Sequence, residues 1–136
     1  MTDTCTCSKL TPATQILLSA SRAGLSKIII AALEEGADIE ARDHSDYNAL
    51  ASATFFGHYH AVRILVAFGA DPHELIQKGA TLLIVAAIGG HADIGEYLIS
   101  LGVPIDVVDG DGDSAMSVAK KFGHEKFITM LEKYRK

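Results

Sequence analysis

Cysteine is nearly missing from this sequence. Only Cys5 and Cys7 occur, two positions apart, so no disulfide can staple distant parts of the chain together. Such sparing use of cysteine fits a reducing, intracellular setting, and a cytoplasmic protein is expected, with the nucleus left open. Long apolar runs are missing too. Ile28–Leu33 is typical, and it is far short of the roughly 20 residues that cross a bilayer. Residues 1–8 lack a basic start followed by an apolar stretch, so no secretory leader is expected. Positive charge is scarce over most of the chain: residues 1–119 hold 6 Lys/Arg against 15 Asp/Glu, a net −9. That balance speaks against nucleic-acid binding, which needs a surface that neutralises phosphates. Residues 120–136 reverse it, with 6 Lys/Arg and 2 Asp/Glu. There, Lys133, Arg135 and Lys136 read as cations at a helix C-terminus, where the helix dipole favours them.

Apolar residues, by contrast, make up 49% of the 136 residues, ample for the core of one domain. They are ordered by a period. Gly24, Gly57, Gly90 and Gly123 stand 33 residues apart. Ala20, Ala53, Ala86 and Ala119 keep the same spacing, as do Leu17, Leu50, Leu83 and Met116, and Gly36, Gly69 and Gly102. A fixed period of this length marks stacked supersecondary units, each unable to bury its apolar face alone.

Within one period the pattern predicts two short helices and a loop. Thr81 is suited to cap a helix, Leu82–Gly89 is apolar, and Gly90 stops it. Ile94, Leu98 and Leu101 then form one helical stripe, which Gly102 ends. Asn48 and Ser114 repeat the role of Thr81, and Thr11-Pro12 supplies a cap followed by proline at the first helical position. Helices are expected near 12–22, 25–35, 48–56, 58–68, 81–89, 91–101, 114–122 and 124–134. Residues 1–10 are expected to form a flexible tail. Residues 11–136 are expected to form a single domain, its repeats at about 11–42, 43–75, 76–108 and 109–136. One register position reads Leu33, Val66, Ile99 and then Glu132, as if the array were complete and closed by a polar outer side.

The stretches GATLLIVAAIGGH (79–91), GHYHAVRILVAFGAD (57–71), GADIEARD (36–43) and FGHEKFITML (122–131) resemble the ankyrin repeat, over residues 11–136. The resemblance implies an all-α solenoid of helix-turn-helix pairs joined by hairpin-like loops, and an interaction module. The chain departs from the family's T-P-L-H stretch, which reads QILL, NALA, TLLI and SAMS. Leu18, Ala51, Ile84 and Ser117 stand where the histidine would. Apolar packing is expected to replace part of its hydrogen bonding.

Three constellations look like chemistry and read better as structure. Asp109-Gly-Asp111-Gly-Asp113 resembles the opening of an EF-hand loop, but Ser114 and Lys120 fill the places that need glycine and a carboxylate. Gly112-Asp113-Ser114 resembles a nucleophile motif, yet Ser114 is expected to cap a helix. His58, His91 and His124 share one repeat position. Packed helices lie about 8–10 Å apart, too far for these to share a metal, so they read as turn and surface residues. No enzyme activity, cofactor or metal is expected.

The binding surface is expected where large residues are out of place. Leu50 and Ala53 supply the inward stripe of helix 48–56, and Phe55 and Phe56 cannot both join it. Exposed aromatic and arginine residues mark interaction sites. In the ankyrin repeat the hairpin tips and first-helix ends form a concave face. The resemblance therefore adds Arg22, Arg42, His44, Tyr47, Lys78, Ile88, Lys121 and Phe122 to the partner-binding set. The expected function is non-enzymatic binding of a protein partner by a monomer, as inhibitor or adaptor, with no role in nucleic-acid or membrane binding. The alternative is homo-oligomerisation through the aromatic patch.

Overall fold

A computed structural model describes residues 11–43, 46–76 and 79–134. The expected tail 1–10 with Cys5 and Cys7, the tip residues His44 and Lys78, and the terminal Arg135 and Lys136 lie outside the described residues. Among the described residues the chain is all-α, with eight helices in order. They are α1 (Pro12–Ala23), α2 (Ser26–Glu34), α3 (Ala49–Phe55), α4 (Tyr59–Ala67), α5 (Leu82–Gly89), α6 (Ala92–Ser100), α7 (Ala115–Phe122) and α8 (Glu125–Tyr134). Each lies within two residues of its expected bounds.

The first helix of every pair starts where a side chain can satisfy an open backbone N–H. Thr11 Oγ1 accepts from the Thr14 amide at 3.2 Å, and Asn48 Oδ1 from the Ala51 amide at 2.8 Å. Thr81 Oγ1 accepts from Ile84 at 3.3 Å, and Ser114 Oγ from Ser117 at 3.2 Å. Each such cap stabilises its helix by about 0.5–2 kcal/mol. The second helices stop in a common way. Gly69 takes a φ of 103°, and beyond it the Ala70 amide reaches back to the Leu65 carbonyl at 3.0 Å. Ala37 to Ala32 and Val103 to Leu98 make the same closure.

The chain divides into two compact units, one ending at Asp71 and the other starting at Pro72. In the first unit α1 packs on α2 and α3, α3 on α4, and α2 on α4. Its core is built from Leu17, Ile29, Leu50, Val62 and Leu65, all fully buried. The repeat alanines Ala20 and Ala53 are buried beside them, small enough to let the helices approach. In the second unit α5 packs on α6 and α7, α7 on α8, and α6 on α8, around Leu83, Ile94, Leu98, Phe127 and Leu131. Phe127 of α8 fills the space over Gly95 of α6, where a Cβ would come within 2.7 Å of the ring. No helix among the described residues is long and apolar enough to cross a membrane.

Candidate functional site

The hairpin before α3 is a short turn that repeats a backbone plan. The Asp43 amide donates to the Tyr47 carbonyl at 3.0 Å, and the Asp46 amide to the Asp43 carbonyl at 3.0 Å. Asp46 holds a left-handed φ of 66°. In the later tips the same register position is Gly79, with φ 72°, and Gly112, with φ 82°. Aspartate is among the few side chains that tolerate this region. Here Asp46 also pairs with Arg42 at 3.1 Å. Asp43, nearly buried, accepts from the Tyr47 amide at 3.1 Å and receives the Arg22 guanidinium at 3.4 Å. Both arginines of the expected surface are thus ion-paired, and Arg22 is tied to the hairpin from the end of α1.

This turn sets Tyr47 against the end of α3. Its ring meets Phe55 edge-on, with centroids 6.0 Å apart at 85°. Phe55 in turn meets Phe56 at 5.0 Å and 87°. Edge-to-face pairs of this kind contribute about 0.5–1.5 kcal/mol each beyond area burial. Phe55 and Tyr47 are half-buried, while Phe56 stays 48% exposed. The two phenylalanines are therefore neither both core nor both free. Phe55 is the support and Phe56 the open face. Burial first, and then the neighbouring Asp43 carboxylate, push the Tyr47 phenol above its ordinary value of 10.0.

The second unit carries a smaller cluster at the end of α7. Phe122 is 55% exposed and lies near-parallel to the His124 ring, with centroids 6.1 Å apart. Lys121 Nζ meets Asp113 at 3.2 Å. The Lys121 hydrogen bond, and then one from Ser117, hold the Asp113 carboxyl below its usual 3.8. Ile88 is half-buried, and its contribution at the site is its carbonyl, which accepts from His124 Nε2 at 3.1 Å.

His58 and His124 stand in turns at half-open positions, as expected, and each also makes a contact with the repeat before it. His58 Nε2 lies 2.9 Å from the Arg22 carbonyl in the first unit, as His124 does from Ile88 in the second. A carbonyl only accepts, so Nε2 carries the proton in both. Each ring lies over the glycine that ends the preceding first helix. A Cβ at Gly90 would sit 2.6 Å from His124 Nδ1, and Gly24 is crowded by His58 in the same way. The signal was present in the sequence as a glycine and a histidine 34 residues apart, but their contact needs the stacked structure to be seen.

The structure thus joins Arg22, Tyr47, Phe55 and Phe56, with Arg42 on the same hairpin, and separately groups Ile88, Lys121 and Phe122. Among the described residues no three His, Cys, Asp or Glu side chains gather where they could hold a metal ion. What both clusters offer is an exposed ring on a braced base with paired charges at its edge, which suits contact with another macromolecule's apolar side chain.

The family model described as ankyrin repeats (3 copies) matches residues 67–135. An ankyrin repeat and KH domain-containing protein of Caenorhabditis briggsae is 34% identical over 99 residues, 70% of this chain and 4% of that protein. Protein phosphatase 1 regulatory subunit 27 of Homo sapiens is 43% identical over 65 residues, 48% of this chain and 42% of that protein. Ankyrin repeat domain-containing protein 63 of Mus musculus is 33% identical over 110 residues, 78% of this chain and 28% of that protein. The aligned region is less than half the length of each of these relatives.

Proposed function

The chain belongs to the ankyrin-repeat family, whose repeats generally mediate protein–protein interaction, and from that premise we propose that it is a non-enzymatic binding module. It binds a protein partner through the hairpin tips and first-helix ends, the concave face in this family, and acts by occupancy, as inhibitor or adaptor. The observation that carries this reading is the Tyr47–Phe55–Phe56 ladder, which holds one ring half in solvent on two ring-to-ring contacts. A large apolar side chain held open in this way is what interface hot spots are made of. Arg22 and Arg42 flank it, and Ile88, Lys121 and Phe122 form the counterpart in the second unit. His44 and Lys78 belong to the same proposed set from their positions in the repeat register of the sequence.

A relative named as a regulatory subunit of a phosphatase supports a role that works through a partner's activity. The chain's sparing use of cysteine supports an intracellular, reducing setting for that encounter. The test is capture from native cell extract with the whole chain as bait, beside a variant in which Phe55 and Phe56 are both alanine. A protein retained by the native chain and lost by the variant supports the reading. Retention of the same protein by both baits places the contact elsewhere. Concentration-dependent self-association of the native chain alone, abolished in the variant, would make the patch a homo-oligomer contact instead.

A further inference from the structure

The turn between α7 and α8 gathers an open ring and three lysines within residues 120–126. Phe122 is 55% exposed, and the His124 ring lies near-parallel beside it. Lys120, Lys121 and Lys126 are all exposed around that ring. Lys121 is paired with Asp113. Lys120 and Lys126 make no hydrogen bond or ion pair among the described residues. The helix dipole accounts for Lys120 and Lys121, which stand in the last turn of α7. It does not account for Lys126. That residue stands in the first turn of α8, where the dipole disfavours a cation. Glu125, the one carboxylate in residues 120–126, opens α8, where the dipole favours it. The fold thus leaves an open aromatic ring edged by cations it does not use. Such a surface fits a complement that is apolar at its centre and anionic at its edge.

We propose that this turn docks an acidic segment of the partner protein, which lays an apolar side chain on the Phe122 ring and sets carboxylates beside Lys120 and Lys126. Docking here rests on the reading of the chain as a protein-binding module, and it names the partner chemistry of the second cluster. Charge sets the kind of anion. Residues 120–136 hold 6 Lys/Arg against 2 Asp/Glu, whereas residues 1–119 carry a net −9. A nucleic acid or an anionic membrane extends well past one turn, and its charge would meet that acidic body. Salt screens such repulsion only beyond about 8–10 Å. A short acidic stretch of polypeptide can end where the lysines end. Exposed charge pairs contribute little affinity. The ring therefore carries the binding, and the lysines set the preference and the rate of encounter. Asp113 keeps Lys121 occupied, so Lys120 and Lys126 make the new contacts.

The probe is the capped peptide Glu-Glu-Leu-Glu-Glu-Leu-Glu-Glu, titrated into the whole chain and followed by amide-resolved NMR. Shifts are expected to gather at residues 120–126, and binding should weaken as salt is added. Lys120→Glu with Lys126→Glu should weaken binding by about tenfold or more, and so should Phe122→Ser. All three side chains are exposed, so the helical circular-dichroism signal and the melt should stay close to native. Lys27→Glu, at the first repeat's equivalent of Lys126, should leave binding unchanged. The proposal fails if the peptide leaves residues 120–126 unmoved, or if the double lysine variant binds it as the native chain does. It also fails if the same peptide with lysine in place of glutamate binds as well. Tighter binding of oligothymidine or of phosphatidylserine vesicles at these residues overturns it too, making the turn a general polyanion site. A native chain that captures a partner through Phe55 and Phe56 yet ignores the peptide overturns this docking alone and leaves the binding-module reading standing.

Discussion

Gly90 and Gly24 carry two demands at once: a left-handed backbone, with φ of 73° and 74°, and the absence of a Cβ under a histidine ring. Gly90→Ala is therefore expected to destabilise the fold by about 2 kcal/mol. His124→Ala in the same chain should recover the steric part of that loss, leaving the backbone part. A double-mutant cycle on denaturant melts measures the coupling. Additivity of the two changes would show that the ring does not press on Gly90. At Asp113 the folded carboxyl is depressed by Lys121 and Ser117. A depressed acid stabilises the fold fully above its unfolded value near 3.8, and the effect is lost as pH falls through the lower folded value. Asp113→Asn should accordingly flatten the acid side of the stability-against-pH curve. The change is small, because the pair is solvent-exposed and screened.

The helices were legible from the sequence because their causes are local. Thr11, Asn48, Thr81 and Ser114 each cap the helix that begins one residue later, and a cap needs no tertiary context. What escaped was contact between elements. The seating of His58 over Gly24 depends on which helix lies beside which. The division of labour between Phe55 and Phe56 depends on the hairpin that brings Tyr47 against them. The packing of α6 on α8 offers a test at this scale. On helix propensity alone, Gly95→Ala should stabilise α6 by about 0.8–1 kcal/mol. A Cβ there would come within 2.7 Å of both Met130 Cε and the Phe127 ring. The methionine end can swing aside and the buried ring cannot, so overpacking of about 1–3 kcal/mol outweighs the propensity gain. Gly95→Ala should lower the melting temperature, and Phe127→Leu in that background should restore part of the loss. A higher melting temperature for Gly95→Ala would show that α8 shifts freely.

For the whole molecule, two compact units each present a braced aromatic ring, and the family to which the chain belongs works by contact. The period of 33 residues announced the architecture. The surface was legible only as a set of misplaced large residues, because a partner's shape is written in no spacing of this chain. The claim that the first unit's ladder is a binding face has one direct measurement. The captured partner is titrated against the native chain and against the Phe55→Ala, Phe56→Ala variant, with melts of both proteins alongside. Affinity is expected to fall by about thirtyfold, or on the order of 2 kcal/mol. The melt is expected to move by less than the roughly 3–5 kcal/mol that a fully buried phenylalanine costs. A variant that loses its stability while its folded fraction binds as tightly as the native chain would contradict the account, making the rings core and placing the interface elsewhere.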